Sequence, residues 1–313
     1  MTAENVKSHI SNTKKIMFSI IVFTVFVIMA EFVLSFTPAM MGFTQRGDYD
    51  DILSGGSAII CLGDSVTYGY DVDTADSWPA QIQAILNENQ SNMRVVNRGE
   101  SGMDSSTILQ REVRTIESIS DKNIRPIVLL MAGHNDLMGI GWKKWQAHDG
   151  TGAKIDQGQT QPPRLFRMLK WLWHTHNLPE NASWIKPEAK ATLLKNIISL
   201  NDAIGKRNGK LYVMTYLLPG DATGILRPNA AKEIAKSREY QGIGNQILRT
   251  VASEHNIALI DIEKYAEAPS KWDDNWFMDH IHPTTVGHKA IAETTLKWLS
   301  AYGELPINMN HSD

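Results

Sequence analysis

The chain has 313 residues, 42% hydrophobic and 21% charged. That is a globular composition, long enough for one generous α/β domain behind an N-terminal segment. A formal net charge of −3 implies no basic face, which argues against nucleic acid as a partner. The single cysteine, Cys61, excludes an internal disulfide and reads as a small core residue.

From Ile16 to Ala30 every residue is apolar except Ser19 and Thr24, and after Glu31 the run resumes with Phe32 to Phe36. A bilayer needs about 20 mostly apolar residues, so residues 16–43 are expected to form a transmembrane anchor. Lys7, Lys14 and Lys15 precede it, while Arg46 with Asp48, Asp50 and Asp51 follow. This asymmetry places residues 1–15 in the cytoplasm and the large domain outside it. A cleaved signal peptide is the alternative, although Thr37-Pro38-Ala39 is a poor cleavage site. At 1.5 Å per residue, Glu31 lies roughly 24 Å beyond Lys15, near the far edge of the apolar core.

After a linker over 44–56 the pattern alternates. Ile59 to Leu62 is a short apolar run that suits a strand buried on both faces, and Gly63-Asp64-Ser65 turns the chain abruptly. Trp78 to Asn87 reads as a helix with Ser77 as N-cap and Pro79 in its first turn. Met93 to Asn97 is a strand and Ser105 to Ser120 a helix. Ile127 to Met131 is a strand, Glu188 to Arg207 a helix and Leu211 to Tyr216 a strand. Ala230 to Glu254 is helical, weakened by Gly242 and Gly244. Ile257 to Ile260 is the fifth strand and Thr284 to Ala301 the closing helix. Five strands alternating with helices predict a three-layer α/β/α domain over 57–303 with a five-stranded parallel sheet, followed by a tail over 304–313.

Residues 137–186 break this rhythm. A connection of such length is uncommon and often functional. It holds Trp142, Trp145, Trp171, Trp173 and Trp184 of the nine tryptophans, a density that argues against a disordered linker. Arg164 to His174 reads as a basic and aromatic helix that suits either a membrane surface or the domain's own core. His174 and His176 lack the acidic or cysteine neighbours of a metal site. Asn181-Ala182-Ser183 fits a glycosylation acceptor, relevant only in a eukaryotic secretory pathway.

The candidate chemistry sits where strands end. Ser65 follows the first strand at the sheet edge where ligands of open α/β sheets bind. Asp279-His280-Ile281-His282-Pro283 precedes the last helix. Residues three apart in a tight turn lie within about 7 Å, so Asp279 can reach His282. A carboxylate-oriented imidazole beside a serine activates the hydroxyl as a nucleophile. His280 competes for the role, but as Asp279's neighbour it points away. Oxyanion donors would come from the Gly102 backbone after the second strand and the Asn135 amide after the third. Asp64 and Asp136 are expected to brace their turns.

GDSVTYG, ESGMD, GHND and DHIHP, in this order, resemble the four blocks of the SGNH hydrolases, the GDSL-type esterases and lipases. The resemblance spans Ile59 to Leu299 and leaves the anchor and the insertion unexplained. It implies a flavodoxin-like fold with Ser65 as nucleophile, His282 as general base and Asp279 orienting it. The oxyanion hole would be the N–H groups of Ser65 and Gly102 with the Asn135 amide. His134 fills the variable position of the third block and is a candidate pocket-lining residue. The implied activity is that of a membrane-anchored serine esterase acting on an acyl ester, acetyl included, of a glycan or lipid, with neither metal nor cofactor. The rivals are an acyltransferase using the same site and a non-catalytic glycan- or lipid-binding protein.

Overall fold

The computed structural model describes residues 18–30, 57–118, 125–138, 187–218, 230–266, 276–278 and 281–305. Residues 18–30 form helix α1, whose Phe18, Phe23, Phe26 and Ile28 side chains are exposed. Among the described residues no helix is long and apolar enough to cross a membrane. The remainder of the expected anchor lies outside them.

The domain runs β1 (Ser57–Gly63), α2 (Ser65–Tyr68), α3 (Trp78–Glu88), β2 (Arg94–Asn97), α4 (Ser105–Ser118), β3 (Arg125–Met131) and α5 (His134–Met138). It continues with α6 (Pro187–Gly205), β4 (Lys210–Met214), α7 (Ala230–Glu254), β5 (Ala258–Ile260), α8 (Ile262–Ala266) and α9 (Thr285–Ala301). The five strands form one sheet in the order β2-β1-β3-β4-β5. Every pairing is parallel, with Ile60 opposite Val96 on one side and Val128 on the other. This is the flavodoxin-like order, and its crevice lies at the carboxyl ends of β1 and β3.

The alternation of side chains along each strand explains why the strands read as unbroken apolar runs. Ala58, Ile60 and Leu62 of β1 join Val128 and Leu130 of β3 on one face, covered by Ile108 and Ile116 of α4, Leu193 and Ile197 of α6, and Leu248 of α7. Ile59 and Cys61 join Leu129, Met131 and Tyr212 on the other, covered by Trp78 and Ile82 of α3 and by Ile291 and Leu296 of α9. Cys61 is fully buried, which pushes its thiol pKa up and suits a core role.

Four local expectations change. Ser77 stands at the N-cap of α3, but its hydroxyl donates to the Thr74 carbonyl instead of capping. The Trp78 N–H donates to Nδ1 of the buried His288, from α9. Thr284, expected to be the first residue of the last helix, stands just outside it. Thr284 is the N-cap, its hydroxyl accepting from the Gly287 N–H, while Pro283 pairs with Phe277. Helix α7 runs through Gly242 and Gly244 without a break. A Cβ on Gly244 would stand 3.4 Å from the Leu137 side chain of α5, an ordinary packing distance. Leu137, expected to open the insertion, instead belongs to α5 and is buried in the core. Residues 139–186 lie outside the described residues, and with them the basic and aromatic stretch.

Candidate active site

The Ser65 turn is built by contacts at the carboxyl ends of β1 and β2. Asp64 is the N-cap of α2, its carboxylate accepting the Val66 N–H at 3.0 Å. Ser65 therefore opens a short helix directly at the end of β1. Asn97, ending β2, donates its amide to the Thr67 carbonyl at 3.0 Å and accepts the Gly99 N–H at 2.9 Å. A Cβ on Gly99 would come within 2.3 Å of the Tyr68 nitrogen, so only glycine lets this loop lie against α2. The loop is also tied back to β1, the Glu100 N–H donating to the Gly63 carbonyl at 3.1 Å.

His282 reaches the serine from the far end of the chain. Its Nε2 lies 2.9 Å from Ser65 Oγ, and both residues are half-buried. The arms that carry the histidine close on themselves. The Met278 N–H donates to the His282 carbonyl, and the Thr284 N–H donates to the Trp276 carbonyl. With Nε2 facing the hydroxyl, Nδ1 is the nitrogen left for an orienting carboxylate. Asp279 and His280 lie outside the described residues.

The oxyanion candidates sit on two adjoining loops. Gly102 has φ of 75°, a left-handed conformation that favours glycine. Asn135, in the first turn of α5, donates one amide hydrogen to the neighbouring Met103 carbonyl at 2.8 Å. A side-chain amide carries two hydrogens, so Asn135 has a second donor besides the one bonded to Met103. Asp136 braces the same junction, accepting from the Ser105 N–H at 2.9 Å and from its hydroxyl at 2.5 Å. Asn196 of α6 then donates to the Ser105 and Ser106 hydroxyls. Burial raises the Asp136 pKa, and the Ser105 bonds work against that rise.

Asp64 is the other buried acid. It is 2% exposed, and burial pushes its pKa up from 3.8 to about 6, against the bonds from Tyr216 and Val66. Tyr216 donates its hydroxyl to the Asp64 carboxylate at 2.8 Å. His134 is 3% exposed and packs its ring toward Tyr216, with centroids 6.1 Å apart. Two residues here escape sequence reasoning. Tyr216 carries no motif, and only the sheet order brings β4 beside β3. Tyr70 stands one position beyond GDSVTYG; its ring lies 4.6 Å from that of His282, and its N–H donates to the Ser65 carbonyl. Proximity to the block was the signal that could have found it.

A serine hydroxyl bonded to an imidazole, beside amide donors at the carboxyl edge of a doubly wound sheet, defines a hydrolase site of the acyl-transfer class. The GDSL-like Lipase/Acylhydrolase family matches residues 61–290, and the chain belongs to it, an SGNH-type serine hydrolase acting on ester bonds. Among solved structures it is similar to a lipolytic protein of the G-D-S-L family from Veillonella parvula DSM 2008. That pair has 19% identity and a TM-score of 0.48, over 78% of this chain and 98% of that one. LAE5, an alpha/beta hydrolase enzyme from the metagenome of Lake Arreo, Spain, has 18% identity and a TM-score of 0.49, over 81% and 98%. A catalytic mutant of Axe2, an acetylxylan esterase from Geobacillus stearothermophilus, has 17% identity and a TM-score of 0.49, over 83% and 98%. No match was found among curated proteins.

Proposed function

We propose that this chain is a membrane-anchored serine esterase that cleaves an acyl ester of a surface glycan or lipid, the acetyl ester included. The single observation that carries the catalytic reading is the 2.9 Å contact between His282 Nε2 and Ser65 Oγ. In this reading the imidazole takes the serine proton as Oγ attacks the ester carbonyl. The Ser65 and Gly102 N–H groups and the Asn135 amide receive the oxyanion, and Asp279 steadies the imidazolium. Collapse expels the alcohol with the proton from His282. Water, activated by the same imidazole, then releases the acid and restores Ser65.

The anchor reading rests on the apolar run from Ile16, the lysines before it and the aspartates after it. Helix α1, with its apolar side chains exposed, supports it. Such an anchor would leave the domain outside the cytoplasm, where surface glycans and lipids are the esters within reach.

The test is turnover of p-nitrophenyl esters of increasing acyl length by the purified domain, beside Ser65→Ala. Hydrolysis that disappears in folded Ser65→Ala is expected, with the chain-length profile naming the acyl group. Retained turnover in that variant would end the serine reading. Repeating the assay with a polyol acceptor identifies an acyltransferase if acylated polyol replaces free acid.

A further inference from the structure

Beneath the proposed site lies a buried joint that the hydrolytic scheme does not use. Tyr216 follows β4 and is 1% exposed. Its hydroxyl donates to Asp64 at 2.8 Å, and its ring lies against that of His134 with centroids 6.1 Å apart. Asp64 caps the turn that carries Ser65, and His134 precedes Asn135. One buried side chain thus touches both the loop that carries Ser65 and the segment that carries Asn135.

The tyrosine is itself held rigidly. Its N–H donates to the Asn245 side-chain oxygen at 2.7 Å, and the Asn245 amide donates back to its carbonyl at 2.9 Å. That amide also donates to Glu263 at 2.9 Å. Asn245 is fully buried on α7, so the clamp is fastened to a long helix of the scaffold.

Resting on the Ser65 reading, we infer that Tyr216 is a positioning residue: its hydroxyl sets the distance between the serine and the Asn135 amide and keeps Asp64 in its ionised, turn-capping form. The first effect is geometric. A tyrosine bonded to one loop and packed against the other resists their separation, and misplacement of a reacting group by about 1 Å costs about a hundredfold in rate. The second effect is electrostatic. Asp64 is faced by Tyr216 from the segment after β4, by His282 from the loop before α9 and by Asp136 from α5. The hydroxyl's hydrogen bond favours the carboxylate form of Asp64.

The test is Tyr216→Phe in the full chain, which removes one oxygen and keeps the ring. We expect kcat to fall about tenfold to a hundredfold with KM within about threefold, the pattern of a lost transition-state interaction. The acid limb of kcat should move to higher pH, because Asp64 loses a bond that favours its charge. A residue that merely fills space would lower the melting temperature and leave both readouts unmoved in folded protein. If the phenylalanine variant does not fold, Asp64→Asn serves, and should lower kcat with little change in KM and abolish the part of the acid limb that Asp64 sets. Wild-type kcat and an unmoved limb in either folded variant overturn the inference while leaving the Ser65 reading intact. Wild-type protein that neither hydrolyses p-nitrophenyl acetate nor takes a fluorophosphonate overturns both.

Discussion

At the scale of single residues, the site concentrates groups held away from their ordinary chemistry. Asp64 shows this most clearly. The unfolded chain ionises it near 3.8, while burial in the folded chain raises that to about 6. Between those values the folded protein keeps a proton that the unfolded chain has released. The associated stability is full below about pH 4 and is lost as pH rises through about 6. Asp64→Asn, neutral throughout, should therefore be more stable than wild type at pH 8 by up to about 3 kcal/mol, at about 1.4 kcal/mol per pKa unit, with a much smaller gain at pH 4. Urea unfolding of both proteins at the two pH values measures the difference; equal gains at both would mean that the carboxylate is not held against its charge. Asn135→Ala tests the proposed oxyanion donor. Its kcat should fall about 10²–10³-fold with little change in KM. An unchanged kcat with a raised KM would reassign Asn135 to substrate binding.

At the scale of elements, α2 is too short to hold itself and is placed by what packs on it: the Asp64 cap, the Asn97 amide and the Gly99 backbone. Gly99→Ala puts a methyl 2.3 Å from the Tyr68 nitrogen and must push α2 and Ser65 aside. The expected cost is about 1–3 kcal/mol of stability, with kcat falling at least about tenfold. Gly242→Ala is the control: nothing lies within 4 Å of its Cβ in mid-helix, so α7 should gain about 0.5–1 kcal/mol with kcat unchanged. Thermal unfolding and steady-state kinetics of both variants check the contrast. The elements themselves were legible because the central strands β1, β3 and β4 are buried on both faces and the long helices that cover the sheet on one, which leaves plain periodicities. The four blocks were legible because Ser65, Gly102 and Asn135 follow strand ends in glycine-bearing turns, while His282 stands before a proline ahead of α9. The contacts that hold the blocks together were not. His288 caps a helix 210 positions away, and Tyr216 serves Asp64 from 152 positions away. A histidine inside a helix and a tyrosine after a strand have no local pattern that announces a distant partner.

At the scale of the whole molecule, the five-stranded order gathers residues from both ends of the domain at one edge. Residues 139–186 connect α5, which carries Asn135, to α6 in the sequence. Replacing them with a short turn should change the preference among larger acyl or glycan esters while largely sparing a small acetyl ester. Selectivity profiles of two equally folded proteins, with and without the stretch, decide it; identical profiles would remove the segment from substrate recognition. The charge asymmetry around residues 16–43 makes a second expectation. A reporter that works only outside the cytoplasm should be active when fused after Asp313, and a cytoplasm-only reporter should be silent there. Activity of the cytoplasm-only reporter would reverse the topology.

The central claim is that Ser65, bonded to His282 across 217 positions of chain, is an activated nucleophile. The most direct measurement is the intact mass and peptide map of the protein after exposure to a fluorophosphonate. One phosphonyl adduct is expected, on Ser65, absent in Ser65→Ala and formed far more slowly in His282→Ala. Folded wild-type protein that takes up no label, or label that persists unchanged in Ser65→Ala, would contradict the claim.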